Sequence, residues 1–266
     1  MENEQKKIET GKKSRWILPA AMVAAVLIYY SVMNIIGTTR ALDQIYSNFN
    51  PEKNAKTYAD SAVFTDSAYL VLLKQKAWLQ SKTLMAETDS IYLMINLDDS
   101  IADLAINGVV VHSSPIIRYR LGSIFKRGND AILYTMMSTP LSIVSSRSTI
   151  RKEPLMIKMA PKDTSEYQPD VIPDTTHTQP VNFILNMKEG IRICFYQGDP
   201  VLPRDRLARF WFDFRLRATD AWAAIKRIAV LKVPDYHPYI KLYVSRGDNR
   251  IIYRAIPRNG QVTVLL

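Results

Sequence analysis

Cysteine and histidine are the residue types from which thiol acyl transfer and zinc chemistry start. This 266-residue chain has one cysteine, Cys194, and three histidines, His112, His177 and His237. A lone cysteine excludes an internal disulfide and any cysteine-rich zinc site, and histidines so far apart in sequence suggest no metal cluster. The nine glycines form neither GxGxxG nor a GxxxxGKS/T loop, so no nucleotide cofactor is expected. Cys194 sits between Ile193 and Phe195 in an apolar run, where a free cysteine usually acts as a small buried hydrophobe; the sharper reading makes it a nucleophile. His112 precedes Ser113 and Ser114, but neighbours on a strand point to opposite faces, which argues against a Ser–His couple. His237, beside Tyr236, Pro238 and Tyr239, fits a packed loop leading into a strand, or else an aromatic-lined mouth for a sugar or peptide. His177 lies in a proline-rich stretch and carries no evident role.

The net charge of +10 raises nucleic acid or a membrane surface as partners. A 21-residue run without a charge, Trp16 to Ile36, decides for the membrane, because at 1.5 Å per residue it can cross a hydrocarbon core of roughly 30 Å. Lys6, Lys7, Lys12, Lys13 and Arg15 precede it, so the positive-inside rule puts the N-terminus in the cytoplasm and exports the rest. A cleaved signal peptide shares the basic start. Its apolar core would be only about 7 to 15 residues, and GTTRALDQ after Ile36 holds no small-x-small cleavage site. The tail takes away five bases and three acids, which leaves a net +8 on the exported part. The expected partners there are the lipid bilayer, cell-wall polymer or an envelope protein, and not nucleic acid.

The elements that must position these residues follow from hydropathy period and turn signals. Residues 38–65 are polar and aperiodic and read as the start of a helical stalk, which the helix predicted over 67–86 continues to residue 88. From Ile91 the period becomes two, with breaks at Asp98-Asp99-Ser100 and at Asn107-Gly108, which predicts three antiparallel strands. Further strands are predicted at 132–137, 155–159, 181–187, 190–196, 240–244 and from Gln261, with a proline-rich loop over 161–180. A helix over 205–231 follows from apolar residues near a 3.6 period. Its Arg204, Arg206, Arg209, Arg215, Arg217, Lys226 and Arg227 outnumber its acids, and a basic face represented by Arg209, Arg215 and Arg217 is either its solvated side or a dock for acidic partners.

The meander IYLMINLDDSIADLAINGVVVHSSPI (91–116), the GIRICF strand (190–195) and HPYIKLYVSRGDNRIIYRAIPRNGQVTVLL (237–266) together resemble the L,D-transpeptidase catalytic domain, which cross-links peptidoglycan through a cysteine. His237, Ile240, Leu242, Asp248 and the Gly260-Gln261-Val262 ending agree with that family's Ser-His-Gly-Cys-Ile-Arg-Leu block and its sequel. Tyr236, Pro238, Tyr239 and Lys241 stand where Ser, Gly, Cys and Arg would be, and Cys194 where the general-base histidine would be. The resemblance covers about residues 90–266, with insertions at 161–180 and 199–235. It implies a mainly β (α+β) sandwich or barrel over 89–266, after a cytoplasmic tail (1–15), a membrane helix (16–37) and the stalk (38–88).

The substitutions set the expected chemistry. Tyr239 offers a bulky phenol of pKa near 10 in place of a thiolate, Pro238 removes an oxyanion donor, and Lys241 lacks the bidentate fork of arginine. The expectation is a single-pass protein of the bacterial inner membrane with an inactive L,D-transpeptidase-like domain, binding peptidoglycan or scaffolding the envelope through Tyr236, His237, Tyr239 and Lys241. Two alternatives remain: an active transpeptidase using Cys194 in a rearranged site, and a subunit of an envelope-spanning secretion assembly.

Overall fold

A computed structural model describes residues 2–49, 67–152, 179–199 and 202–266, with side chains placed from Pro19 onward. The strand predicted over 155–159, most of the loop over 161–180 and His177 lie outside the described residues. The chain divides into two compact units, Met1–Ile45 with Arg215–Tyr236, and Tyr46–Phe214 with His237–Leu266.

Helix α1 (Glu2–Phe49) carries the apolar run, and its Pro19–Phe49 portion is long and apolar enough to cross a membrane. Met22, Val26, Leu27, Ile28 and Ile35 are all exposed, whereas Gly37 and Ile45 towards the C-terminal end are buried. The polar side chains within it satisfy themselves: Ser31, Asn34 and Thr38 each donate to the carbonyl four residues back, at 2.8, 2.7 and 3.0 Å. Each of these three bonds spares a polar side chain part of the cost of entering hydrocarbon. The helix continues past residue 37 to Phe49, because no proline interrupts it before Pro51.

In the second unit, eight strands close a barrel in the order β1-β2-β3-β7-β6-β5-β4-β8. They are β1 (Tyr92–Asn96), β2 (Ile101–Ile106), β3 (Val109–Leu121), β4 (Leu141–Ser148), β5 (Phe183–Met187), β6 (Arg192–Gln197), β7 (Tyr239–Val244) and β8 (Gln261–Leu265). The first three form the expected antiparallel meander. Asn107 and Gly108, with φ of 48° and 81°, make its two-residue turn, a geometry that needs positive φ at both central positions. Six neighbouring pairs are antiparallel, while β6–β7 and β1–β8 are parallel. A parallel pair requires a crossover connection, so the stretch 199–235, expected as an insertion, is the link that the β6–β7 pairing demands. It contains helix α5 (Pro203–Ala229).

Two strands turn the corners of the barrel. β3 leaves β2 at Pro115 and joins β7 from Ile116, with a register shift between Ile116 and Arg118. β4 pairs with β8 at Leu141–Ser142 and then with β5, with a shift between Ile143 and Ser145. Such irregularities bend a strand locally, which closure needs. Inside lie Leu93, Ile95, Leu104, Phe183, Leu185, Ile193, Phe195, Ile240, Leu242 and Val264, each at most 2% exposed.

Three readings change. Residues 132–137 are not a strand but part of helix α4 (Asp130–Met137), which Asn129 caps by accepting from the Ala131 N–H at 3.0 Å. A short, wholly apolar run has no period with which to choose between the two. Helix α3 (Ser123–Arg127) and strand β4 lacked a sequence signal, since Ser145, Ser146, Arg147 and Ser148 make the second half of β4 polar. Helix α2 (Ser67–Ala86), read as stalk, is instead part of the barrel unit: Met85 packs with Tyr92, Met94 and Ala105 against Trp78. Hence β1 is buried on both faces, by the barrel interior and by this helix.

Candidate functional site

Strand β7 alternates cleanly. Ile240, Leu242 and Val244 point into the core, so Tyr239, Lys241 and Tyr243 stand on the outer face. The registers bring neighbours onto that face in rows: Arg118, Tyr243 and Tyr196 form one, and Arg120, Lys241 and Cys194 the next. A third row sets Tyr239 beside Arg192. Cations and aromatic rings therefore interleave on one sheet surface. The Arg118 guanidinium stands 4.2 Å from the centre of the Tyr243 ring, which stacks on Tyr196 at 5.6 Å. The Lys241 ammonium lies 5.5 Å from the Tyr196 ring and 5.2 Å from the Tyr239 ring. Each such contact is worth about 0.5–1 kcal/mol at an exposed site, enough to hold the cations in place on the surface.

Asp213 of α5 reaches this face and accepts a hydrogen bond from the Tyr196 hydroxyl at 2.6 Å. Burial above all, with Cys194 and Asp213 adding, pushes the Tyr196 phenol far above its ordinary range, so it stays a neutral donor. Arg192 donates through Nε to Asn186 at 3.1 Å. Arg118, Arg120 and Tyr239 remain exposed at the open side.

Cys194 is 2% exposed, and burial pushes its thiol up to about 11 despite the opposing pull of Lys241 and Arg192. The groups coupled to it are Lys241, Arg192, Asp213 and Tyr196, none a histidine. His237 is occupied elsewhere: its Nδ1 lies 3.1 Å from the Gly190 carbonyl oxygen, so Nδ1 carries the proton that it donates. Of the residues singled out in the sequence, the structure brings Cys194, Tyr239 and Lys241 onto one face. Tyr236 is half-buried in the first unit. Arg209, Arg215 and Arg217 do not form one face of α5, because at 3.6 residues per turn Arg215 points about 120° from Arg209 and about 160° from Arg217. Sequence reasoning missed Arg118, Arg120, Tyr196, Tyr243 and Asp213, although alternation in Arg118-Tyr119-Arg120 and in Tyr239-Ile240-Lys241-Leu242-Tyr243 marks most of them.

His112 pairs across the fold with Asp248 rather than with a serine, Nε2 to Oδ1 at 3.0 Å. Asp248 also accepts from Ser245 at 2.7 Å, and the Ser245 side chain caps helix α6 (Arg246–Ala255). Ser113 donates instead to Asp103 at 2.6 Å. Among the described residues, no group of three or more His, Cys, Asp and Glu side chains could hold a metal ion. The arrangement on the outer face can take up a carboxylate or other anion between cations while tyrosine rings lie against the adjoining groups. Compared with protein-family models, with curated proteins and with solved structures, the chain matches none.

Proposed function

We propose that this is a single-pass envelope protein whose barrel is a non-catalytic binding module of L,D-transpeptidase type, taking carboxylate-bearing stem peptides of peptidoglycan on the outer face of β3, β7 and β6. One observation carries the reading: on neighbouring strands, the thiol is buried and held protonated while Arg118, Arg120 and Tyr239 are exposed, with Lys241 and Tyr243 half-buried beside them. Thiol acyl transfer needs the opposite, an accessible thiolate beside a base. The five bases ahead of Trp16 support a cytoplasmic N-terminus and a periplasmic barrel. Protease added to intact spheroplasts is then expected to digest the chain beyond Thr38; full protection of that portion would overturn this orientation.

Binding is tested by co-sedimentation of the detergent-solubilised full chain with sacculi at low and physiological salt. Lys241→Ala is expected to weaken binding about fivefold, equivalent to about 1 kcal/mol for a partly exposed charge, and Arg118→Ala or Tyr239→Ala similarly. The affinity of one module is modest and becomes useful when many copies face a polymer. Loss with salt, and on reversing Arg209, Arg215 and Arg217 but not on changing the face, would assign retention to bulk charge. No binding at either salt would favour an envelope scaffold with a protein partner. A covalent carbapenem adduct on Cys194 would replace this reading by an active transpeptidase.

A further inference from the structure

Helix α5 is amphipathic in an unusual sense, because it turns its polar side towards the fold. At 3.6 residues per turn, Leu207, Phe210, Trp211, Phe214, Trp222 and Ile225 fall on one stripe about a third of the circumference wide. All six are between 47% and 61% exposed. The opposite side makes the contacts: Asp205, 3% exposed, accepts from Arg246 at 2.5 Å, and Asp213 accepts from Tyr196 at 2.6 Å. Among the described residues, the ring contacts of Phe210, Trp211 and Phe214 are with one another, edge-on or stacked at 5.7–6.2 Å between ring centres. Burying aromatic area is the main gain available to such a helix, yet the fold leaves this stripe to the outside.

Charge says what covers it. Arg204, Arg215 and Lys226 run along one border of the stripe, and Arg206 and Arg217 along the other. Asp205, Asp213 and Asp220 all fall on the far side, together with Arg209 and Arg227. Aromatic and aliphatic side chains between two basic borders match the boundary between acyl chains and anionic headgroups. Position agrees. In the first unit Gly37, the residue after the apolar run, packs on Pro234, five residues beyond the end of α5; a Cβ there would come within 2.6 Å of the Pro234 carbonyl oxygen. The C-terminal end of α5 is thereby tied to the point where α1 would leave the hydrocarbon.

We propose that α5 is an interfacial helix, its apolar stripe seated in the surface of the anionic bilayer that α1 spans and its basic borders at the level of the phosphates. The inference rests on α1 spanning that bilayer and is independent of what the barrel binds. The test uses the full chain reconstituted in phosphatidylcholine–phosphatidylglycerol vesicles, with or without brominated acyl chains. The chain has four tryptophans, so Trp211→Phe with Trp222→Phe isolates the contribution of α5. These positions are exposed, and an unchanged circular dichroism spectrum confirms that the variant folds.

Brominated lipid is expected to quench emission of the wild type roughly twofold more than that of the double variant, with iodide in the water failing to reach the difference. Replacing phosphatidylglycerol by phosphatidylcholine is expected to reduce that difference. Equal bromolipid quenching of wild type and variant overturns the proposal, whether iodide reaches Trp211 and Trp222, as on a bare surface, or not, as under a second copy or another protein. A difference that ignores phosphatidylglycerol overturns its electrostatic part. Failure of the chain to float with vesicles would instead overturn the spanning role of α1, and this proposal with it.

Discussion

Cys194 is expected to react with a disulfide reagent at pH 8 at least about a hundredfold more slowly in the native chain than after unfolding in guanidinium. Two effects multiply. With burial holding its thiol up to about 11, against an ordinary value of 9.0, the thiolate fraction at pH 8 is about a hundredfold smaller in the folded state. At 2% exposure the reagent must also wait for local opening. The sign of the pH dependence is set by the same shift. Native reactivity is expected to rise about tenfold per pH unit up to about 11, whereas the unfolded thiol levels off near 9. Stability falls over the same window, because between these values the unfolded chain loses a proton that the folded one keeps. Stopped-flow absorbance of the released thiolate measures both rates. Comparable native and unfolded rates at pH 8 would mean an accessible, activated cysteine, and would return the transpeptidase reading to first place.

Phe195→Ala is expected to destabilise the barrel by about 3–5 kcal/mol. Phe195 is fully buried on β6, the strand between β5 and β7. Its ring stacks on Phe183 at 4.5 Å and 9°, and Phe183 in turn meets Tyr253 of α6 at 5.1 Å. Alanine would remove the ring stacked on Phe183 and leave a cavity that the closed sheet cannot collapse to fill. Urea denaturation of the full chain in detergent, followed by near-ultraviolet circular dichroism, is expected to show a lower midpoint with an unchanged slope. Val144→Ala, 64% exposed on β4, serves as the control and should stay within about 0.5 kcal/mol. Equal midpoints for the two variants would show that the aromatic stack is not the centre of the core.

Local rules account for what the sequence by itself determined. An uncharged run of 21 residues can only be a long apolar helix, and Asn107-Gly108 between alternating segments can only close a tight hairpin. The strand predicted over 240–244 and the helix predicted over 205–231 from its near-3.6 period correspond to β7 and α5 for the same reason. Each of these signals is a property of neighbours along the chain. Residues 132–137 lacked one, being apolar throughout, and only the Asn129 cap and the packing of Leu133 and Met136 made them a helix.

Only the tertiary structure decided what shares a surface. Arg118 and Tyr196 meet through Tyr243, on three strands drawn from distant parts of the sequence, and the parallel register of β6 with β7 sets Cys194 opposite Lys241. Alternation along a strand specifies two faces but not which strand lies alongside, nor at what register. The same limit applies to α5. Its periodicity revealed an apolar stripe and basic residues, and an apolar stripe ordinarily packs inward. Which side touches the fold was settled by where Arg246 and Tyr196 offered donors to Asp205 and Asp213, and those partners lie 41 and 17 residues away along the chain.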